Sequence, residues 1–159
     1  MHLTTVTYDA ALHVAANMRE WDKKEIYAVR WTDDPKEIAR DCAAYGRFGW
    51  IAWHGGEPVA VVGAVPVHPG VWSVYMFATD CFRQIAISLT KFVRRVIIPA
   101  LVDTGAHRAE CASMEGHAEA HRWLELLGAT REGSPMMEYG KDGENFIRFV
   151  WRRESVLLF

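Results

Sequence analysis

The sequence has few cysteines and no long apolar run. Its three cysteines, Cys42, Cys81 and Cys111, are widely spaced, so they predict neither a metal-ligand pattern nor a disulfide framework. They fit a reducing compartment, which favours a cytoplasmic location. No apolar run reaches the roughly 20 residues that cross a bilayer, and no basic-then-apolar start indicates a signal peptide. We therefore expect no metal site and no membrane contact.

The chain also has little excess charge of either sign. Its 18 Lys and Arg against 20 Asp and Glu give a net charge of −2, which argues against a strongly basic nucleic-acid binder. Half of the 159 residues are hydrophobic and 24% are charged, as in ordinary soluble globular proteins. Without a linker or an internal repeat, this length predicts one domain over residues 1–159 with a buried core.

The first half of the chain predicts helices followed by a group of strands. Leu3–Tyr8 alternates as a first strand does, and Asp9 is placed to cap one long helix that runs to about Ala28. Thr32–Pro35 predicts the start of a second helix, which ends at Gly46. Three antiparallel strands joined by turns are then predicted at Phe48–Trp53, Pro58–Val65 and Val71–Phe77.

The second half alternates helix and strand. Ala78–Asp80 leads into a long helix, with Thr79 or Asp80 as its cap and Pro99 as its end or a kink. Further strands are predicted at Arg108–Ser113, Met136–Tyr139 and Phe146–Trp151. The apolar tail Val156–Phe159 either folds back on the domain or contacts a partner. This order predicts an α/β fold with a mixed, mostly antiparallel sheet.

The stretch from Arg108 to Ala129 forms the most compact pattern in the chain. A short alternating strand is followed by a tight turn and by a helix with one apolar face. That face is made by Ala120, Trp123, Leu124 and Leu127. Gly128 predicts the end of the helix, because glycine adopts a left-handed C-terminal conformation without strain.

This stretch resembles the late strand-and-helix motif of the GNAT N-acyltransferase superfamily. The usual motif reads Asn, two residues, Ala, then Arg-Leu-Tyr-Glu-Lys-Leu-Gly-Phe. In register, His117 falls on the Asn, Ala120 on the Ala, Leu124 on the Tyr and Gly128 on the Gly. The resemblance implies a single GNAT-like domain, whose mixed, mostly antiparallel central sheet is flanked by about four helices.

Three further segments resemble small GNAT-like proteins encoded by tailed phages. They are Asn17–Arg19, Ala78–Asp80 and Gly140–Gly143, the last lying just before a Phe-rich strand. This resemblance implies a phage protein that acts in the host cell cytoplasm or, alternatively, lies in the virion interior.

The resemblance also implies acetyl-CoA or coenzyme A as cofactor. The family's pyrophosphate loop reads Gln or Arg, two residues, Gly, one residue, then Gly or Ala, but here Phe82–Ser88 contains no glycine. Arg83 and Gln84 at a helix start are suited to meet a phosphate, whereas Ile85 would crowd it. A simple core helix explains the segment equally well. The implied cofactor-binding residues are Phe77, Ala78, Phe82, Arg83, Gln84, Ile85, Ser113 and His117.

Acyl transfer to an amine needs a base for the amine and an acid for the departing thiolate. Leu124 stands where the family has its Tyr acid and cannot donate a proton, so Tyr75 or His117 is the candidate substitute. Glu110, beside the point where the family's strands separate, is the candidate base, with Asp80 second or a helix cap. The alternative for His117 is a capping or surface histidine.

The charged residues from Arg19 to Glu25 have two interpretations. Clusters of this kind are usually a solvated helix face with local ion pairs. The resemblance implies instead that Arg19 and Glu20 border the acceptor side of a cleft, because the family's first helix often lines it.

Two functions remain open on the sequence. The first is a phage-encoded, CoA-binding N-acyltransferase that acts on a host protein, a metabolic enzyme or a small amine. The second is an inactive GNAT fold used for protein contact, as an internal virion component or a binder of a host protein, with a homodimer as a further option. Fold alone does not decide between them.

Overall fold

The computed structural model describes residues 1–156, so most of the apolar tail lies outside the described residues. The helices are α1 (Tyr8–Ala16), α2 (Glu20–Ala28), α3 (Pro35–Ala44), α4 (Phe82–Phe92), α5 (Ile98–Asp103), α6 (Ala118–Leu126) and α7 (Arg153–Val156). The strands are β1 (His2–Thr5), β2 (Gly49–His54), β3 (Glu57–His68), β4 (Val71–Ala78), β5 (Arg108–Met114), β6 (Thr130–Arg131) and β7 (Phe146–Arg152).

The strands form one sheet in the order β1-β2-β3-β4-β5-β7-β6. Every neighbouring pair is antiparallel except β4 and β5, which run parallel. This confirms the predicted α/β class with a mixed, mostly antiparallel sheet. The β2–β3–β4 meander is also confirmed, with Gly55 and Gly56 both at positive φ in its first turn, as a tight hairpin requires.

Helices cover both faces of the sheet, so the sheet is buried between two apolar layers. On one face α4 and α6 pack through Ile85, Leu89 and Leu124 against alternate strand residues. On the other face α1 and α3 pack through Val14 and Ile38. Alternate strand residues point to opposite faces, which divides the apolar side chains between the two layers.

The single long helix predicted after the first strand is wrong. Tyr8 already belongs to α1, and the side chain of Thr7 rather than Asp9 caps the helix, accepting the Ala10 N–H at 3.4 Å. The helix then stops because Met18 pairs with Thr79 beyond the end of β4. A second helix, α2, starts only after this pairing.

The predicted strand Met136–Tyr139 is also wrong. Only Met136 pairs there, through one bridge to Phe146. Glu138 has a φ of 54°, a left-handed conformation that a regular strand does not contain. The short strand β6 lies earlier instead, at Thr130–Arg131.

The long third helix is interrupted as the proline predicts. A π-helical turn at Val93–Ile97 separates α4 from α5, and Pro99 lies in the first turn of α5. Cys81 is the N-cap of α4 and makes no side-chain hydrogen bond to the helix. The hydroxyl of Thr79 accepts the N–H of Cys81 at 3.3 Å, before the helix begins, so the predicted cap at Thr79 or Asp80 is wrong.

Candidate functional site

The parallel strands β4 and β5 separate along their length. They pair only over Val71–Ser73 and Arg108–Glu110, although β4 continues to Ala78 and β5 to Met114. A cavity of about 370 Å³ lies at this separation, lined by residues of both strands and of α2, α5 and α6. An apolar cavity with a few polar groups is the usual form of a small-molecule site.

Helix α2 spans the opening between the two separated strands. An Asp22 oxygen accepts the backbone N–H of Ala78 at the end of β4, at 2.9 Å. One turn later, a Glu25 oxygen accepts the backbone N–H of Met114 at the end of β5. Residues three apart share one face of a helix, so one helix face satisfies both strand ends.

Asp22 is buried and held by several donors. It is only 3% exposed, and Arg19 donates to both of its oxygens, at 3.0 and 2.9 Å. Burial raises the pKa of Asp22 above its usual value, and the Arg19 charge only partly offsets this. The Arg19 guanidinium also lies over the Phe82 ring, 4.5 Å from its centroid.

These contacts decide the interpretation of the charged segment. A solvated face is wrong for Asp22, which is buried, and for Arg19, which lines the cavity. Glu20 is exposed at the start of α2. The segment therefore contributes to the cavity wall through one face of the helix.

His117, immediately before α6, lies between the two carboxylates. Its Nε2 is 3.7 Å from Asp22 Oδ1, and its Nδ1 is 3.4 Å from Glu25 Oε2. The Trp21 ring stacks on the imidazole with centroids 5.3 Å apart and planes 12° apart. The residue is 3% exposed, and Nδ1 has no hydrogen-bond partner among residues 1–156.

Ser113 supplies a second polar atom without a partner. It is 2% exposed, lines the same cavity, and its Oγ has no hydrogen-bond partner in the described part of the chain. Buried polar atoms are nearly always hydrogen-bonded in folded proteins. Ser113 Oγ and His117 Nδ1 together therefore give the cavity hydrogen-bonding capacity that a ligand can use.

The other two predicted catalytic residues lie in different surroundings. Glu110 is at the last position of β5 that pairs with β4, and it accepts hydrogen bonds from Arg108 at 2.6 Å and Arg148 at 3.0 Å. Tyr75 lines the cavity, but its buried hydroxyl lies against Gly63, where an added Cβ would be 2.5 Å from the oxygen. Burial raises the pKa of Tyr75. The structure brings neither the Tyr75 hydroxyl nor Glu110 into hydrogen-bond contact with His117.

The predicted cofactor residues divide into buried and exposed sets. Phe77 and Ala78 are buried at the end of β4, and Phe82 and Ile85 are buried in the core. Ile85 therefore points away from the start of α4, rather than crowding it. The exposed residues of this set in the first turn of α4 are Arg83 and Gln84.

The start of α4 offers side chains more than backbone to an anion. The N–H groups of Cys81, Phe82 and Gln84 already have acceptors within the chain. No glycine opens the backbone here, so a phosphate would be met mainly by the side chains of Arg83 and Gln84. This part of the site differs from a glycine-rich phosphate loop.

Asp22 and Glu25 are functional candidates that sequence reasoning missed. Their spacing of three residues in a predicted helix was the available signal, since it places two carboxylates on one face. This spacing did not indicate which groups the carboxylates contact, because Ala78 and Met114 are far away in sequence.

Metal and membrane features are not found in the described chain. Residues 1–156 contain no group of three or more His, Cys, Asp or Glu placed to hold a metal ion. No helix within them has both the length and the apolar character of a membrane span.

Comparison with solved structures identifies the fold. A ribosomal-protein-alanine N-acetyltransferase from Brucella melitensis matches with a TM-score of 0.73 at 14% identity, over 96% of this chain and 99% of its own. A GNAT-family acetyltransferase from Bacillus anthracis matches with a TM-score of 0.71 at 11% identity, over 96% and 94%. The protein yncA from Salmonella typhimurium, solved with its cofactor acetyl-CoA, matches with a TM-score of 0.70 at 12% identity, over 96% and 93%.

These matches establish that the chain has the GNAT fold. The sequence itself matches no protein-family model and no curated protein. At such low identity, the structural likeness shows the fold and leaves the chemistry to be argued from the site.

Proposed function

We propose that the chain binds acetyl-CoA or coenzyme A in the cavity between β4 and β5 and acts as an N-acyltransferase. The observation that carries this proposal is the cavity itself, which contains two buried polar atoms without partners, Ser113 Oγ and His117 Nδ1. The fold supports it, since yncA, which shares the fold, was solved with acetyl-CoA.

The chain's own residues divide the binding between two regions. Ser113 Oγ would hydrogen-bond the part of the cofactor inside the cavity, whose other walls are largely apolar, and His117 would lie beside it with Nδ1 left for the acceptor. Arg83 and Gln84, together with the positive end of the α4 dipole, would attract its phosphates. When bound, the cofactor supplies a thioester that carries the acyl group.

The acceptor is an amine on a protein or on a small molecule. The Brucella melitensis neighbour is named for a protein alanine acceptor, and the acceptor of this chain is proposed only as a class. The predicted phage origin, host target, virion location and homodimer stay predictions from the sequence.

The second candidate function is protein contact without catalysis. Two observations favour it: the start of α4 has no glycine, and Asp22 already occupies the Ala78 N–H at the end of β4. Both reduce the backbone donors that an extended ligand would find. Under this alternative, the cavity binds no acyl-CoA.

Calorimetric titration with acetyl-CoA and coenzyme A separates the two functions. We expect saturable binding that weakens at least tenfold in the double variant Arg83→Glu, Gln84→Glu, because the change replaces one positive and one neutral group by two negative ones. Both residues are exposed, so folding should be unaffected.

The matched control is Lys91→Glu, an exposed charge reversal near the other end of the same helix. It should bind both ligands as the wild type does. Equal weakening in both variants would indicate a general charge effect, and no binding by the wild type at about millimolar ligand would contradict the proposed function.

A further inference from the structure

Three titratable side chains meet at the opening of the cavity. Asp22 and Glu25 project from α2, and His117 lies between them with one ring nitrogen within 4 Å of each carboxylate. Asp22 and His117 are 3% exposed, whereas the Glu25 side chain is 18% exposed. The cluster is thus enclosed on the Asp22 side and more open on the Glu25 side.

The charged side chains of this cluster are neutral in sum only when one further proton is bound. Arg19 carries one positive charge, and ionised Asp22 and Glu25 carry two negative charges. With a neutral His117 the four groups sum to one negative charge, and with a protonated His117 they are neutral. Asp22 and Glu25 therefore each place a carboxylate oxygen within 4 Å of a ring nitrogen, where they orient the ring and attract positive charge brought to it.

We propose that His117 accepts the proton that an acceptor amine loses during acyl transfer, with Asp22 and Glu25 positioning its ring. The inference rests on the proposed function and names the proton acceptor within it. His117 Nδ1 is the atom available for this proton, because it is buried beside Glu25 Oε2 and has no other partner in the described chain.

The reaction releases one proton, and His117 has one unprotonated ring nitrogen to accept it. The ammonium group of the acceptor gives one proton to this nitrogen, which frees the lone pair of the amine nitrogen. That lone pair forms the N–C bond as the C–S bond of the thioester breaks, and the electrons of that bond go to sulfur. The second nitrogen proton ends on the thiol, and the proton on His117 passes to solvent.

Other charged and titratable groups around the cluster are placed differently. Glu119 of α6 lies 3.9 Å from Arg19 and is half exposed. Lys24 lies over the outer Trp21 ring. His121 contacts the Met114 carbonyl at 3.0 Å, and burial lowers its pKa. Cys111 lies near Glu25, and burial raises its pKa to about 12. His121 is a weaker base than an ordinary histidine because its pKa is lowered, and the Cys111 thiol already carries its proton near neutral pH. Neither of these two residues is suited to accept the proton.

The alternative is that His117 is only a buried residue at the start of α6. A structural histidine would also stack on Trp21 and fill the space between α2 and α6. The two roles differ in whether changing the ring alters the pH dependence of turnover at unchanged cofactor affinity.

The kinetic test uses acetyl-CoA with glycinamide as the probe amine and follows thiol release. In His117→Gln we expect acetyl-CoA affinity within about fivefold of the wild type and a rate at least about 100-fold lower, the usual scale of general base catalysis. The remaining rate should rise steadily with pH, because only amine already deprotonated in solution then reacts. His54→Gln, at the exposed end of β2, is the histidine control.

A second readout does not depend on activity. In nuclear magnetic resonance spectra of ring-labelled histidine, Glu25→Gln should shift the ring signals of His117, because it replaces the carboxylate 3.4 Å from Nδ1. Glu119→Gln should shift them less, because Glu119 contacts Arg19 and not the ring.

The outcomes separate this inference from the proposed function. Absence of acetyl-CoA binding by the wild type would overturn both. Three results would overturn the proton-accepting role and leave cofactor binding in place. They are binding without thiol release from the wild type, an unchanged rate in His117→Gln, and His117 ring signals that are the same in Glu25→Gln as in the wild type.

Discussion

Asp22 is a carboxylate held in a largely dehydrated position. Burial raises its pKa in the folded protein above the unfolded value near 3.8, in spite of Arg19 and the Ala78 N–H. A carboxyl group whose folded pKa is raised binds its proton more tightly in the folded state. Its contribution to stability is therefore full below the unfolded pKa and is lost as the pH rises through the folded pKa.

The variant Asp22→Asn tests this sign. Asparagine keeps an oxygen for the Ala78 N–H but does not titrate. The variant therefore does not lose unfolding free energy at this position as the pH rises. We expect the unfolding free energy of the variant, relative to wild type, to increase between pH 4 and pH 7 in urea titrations. The exposed change Asp103→Asn is the control. A relative stability that falls over this range would contradict the raised pKa.

Tyr75 gives a second prediction at the residue scale. Its buried hydroxyl lies beside the thiol of Cys42, a weak hydrogen-bond partner, so Tyr75→Phe should stay within about 1 kcal/mol of wild-type stability. Thiol release with glycinamide should also be kept, because this hydroxyl lies against Gly63. A loss of turnover of at least 100-fold at unchanged stability would restore Tyr75 as the acid candidate.

Gly63 reports on the same packing. An added Cβ would lie 2.5 Å from the Tyr75 hydroxyl and 2.7 Å from the Phe48 carbonyl oxygen, so Gly63→Ala should lose about 1–3 kcal/mol of unfolding free energy. The double variant with Tyr75→Phe should recover little of this loss, because the Cζ atom of that ring would still lie 2.6 Å from the added Cβ. Thermal or urea unfolding measures both variants, and full recovery in the double variant would mean that the hydroxyl alone is the obstacle.

Sequence reasoning at this scale named some of the residues that line the cavity and missed others. His117 and Ser113 were predicted from the resemblance, and both line the cavity. Asp22 and Glu25 were missed, because a charged helix segment is usually solvated and their partners, Ala78 and Met114, are distant in sequence. Burial of a charge depends on tertiary contacts that no local pattern contains.

Helix α2 acts as a bridge between two strands that no longer pair with each other. Its carboxylates satisfy the N–H groups of Ala78 on β4 and Met114 on β5. Without these two carboxylates, the N–H groups at both strand ends would lose these acceptors. The bridge also forms the wall of the cavity that contains His117.

Glu25 tests the bridge at the scale of this element. Glu25→Ala leaves the Met114 N–H without its acceptor and should cost about 1–3 kcal/mol, the usual penalty for a buried donor without a partner. Glu25→Gln keeps an oxygen and should cost much less. Urea unfolding gives the stabilities, and hydrogen exchange of the Met114 amide should accelerate only in the alanine variant. Equal exchange in both would mean that Glu25 does not protect this amide.

The elements that sequence reasoning predicted well are those with local signals. The β2–β3–β4 meander has its Gly-Gly turn, and the helix α6 has its apolar face and its Gly128 stop. The break between α1 and α2 was not predictable in the same way, because it follows from the pairing of Met18 with Thr79. Likewise, Met136–Tyr139 is not a strand because Glu138 is left-handed, a conformation that glutamate seldom adopts and that the local sequence did not indicate.

For the whole molecule, the order of elements predicted the sheet, and the motif after β5 predicted the GNAT fold. The cavity follows from one feature of that sheet, the parallel pair β4–β5 that separates after Ser73 and Glu110. Its size and lining follow from the whole set of neighbouring helices. These belong to the assembled fold, so no single stretch of sequence contains them.

The most direct measurement is a map of backbone amide chemical shifts as acetyl-CoA is added to the labelled protein. The account predicts saturable shifts concentrated at Ser113 and His117 and at the start of α4 around Arg83, with little change on the outer strands β1 and β6. No saturable shifts, or shifts confined to a surface away from the β4–β5 cavity, would contradict it.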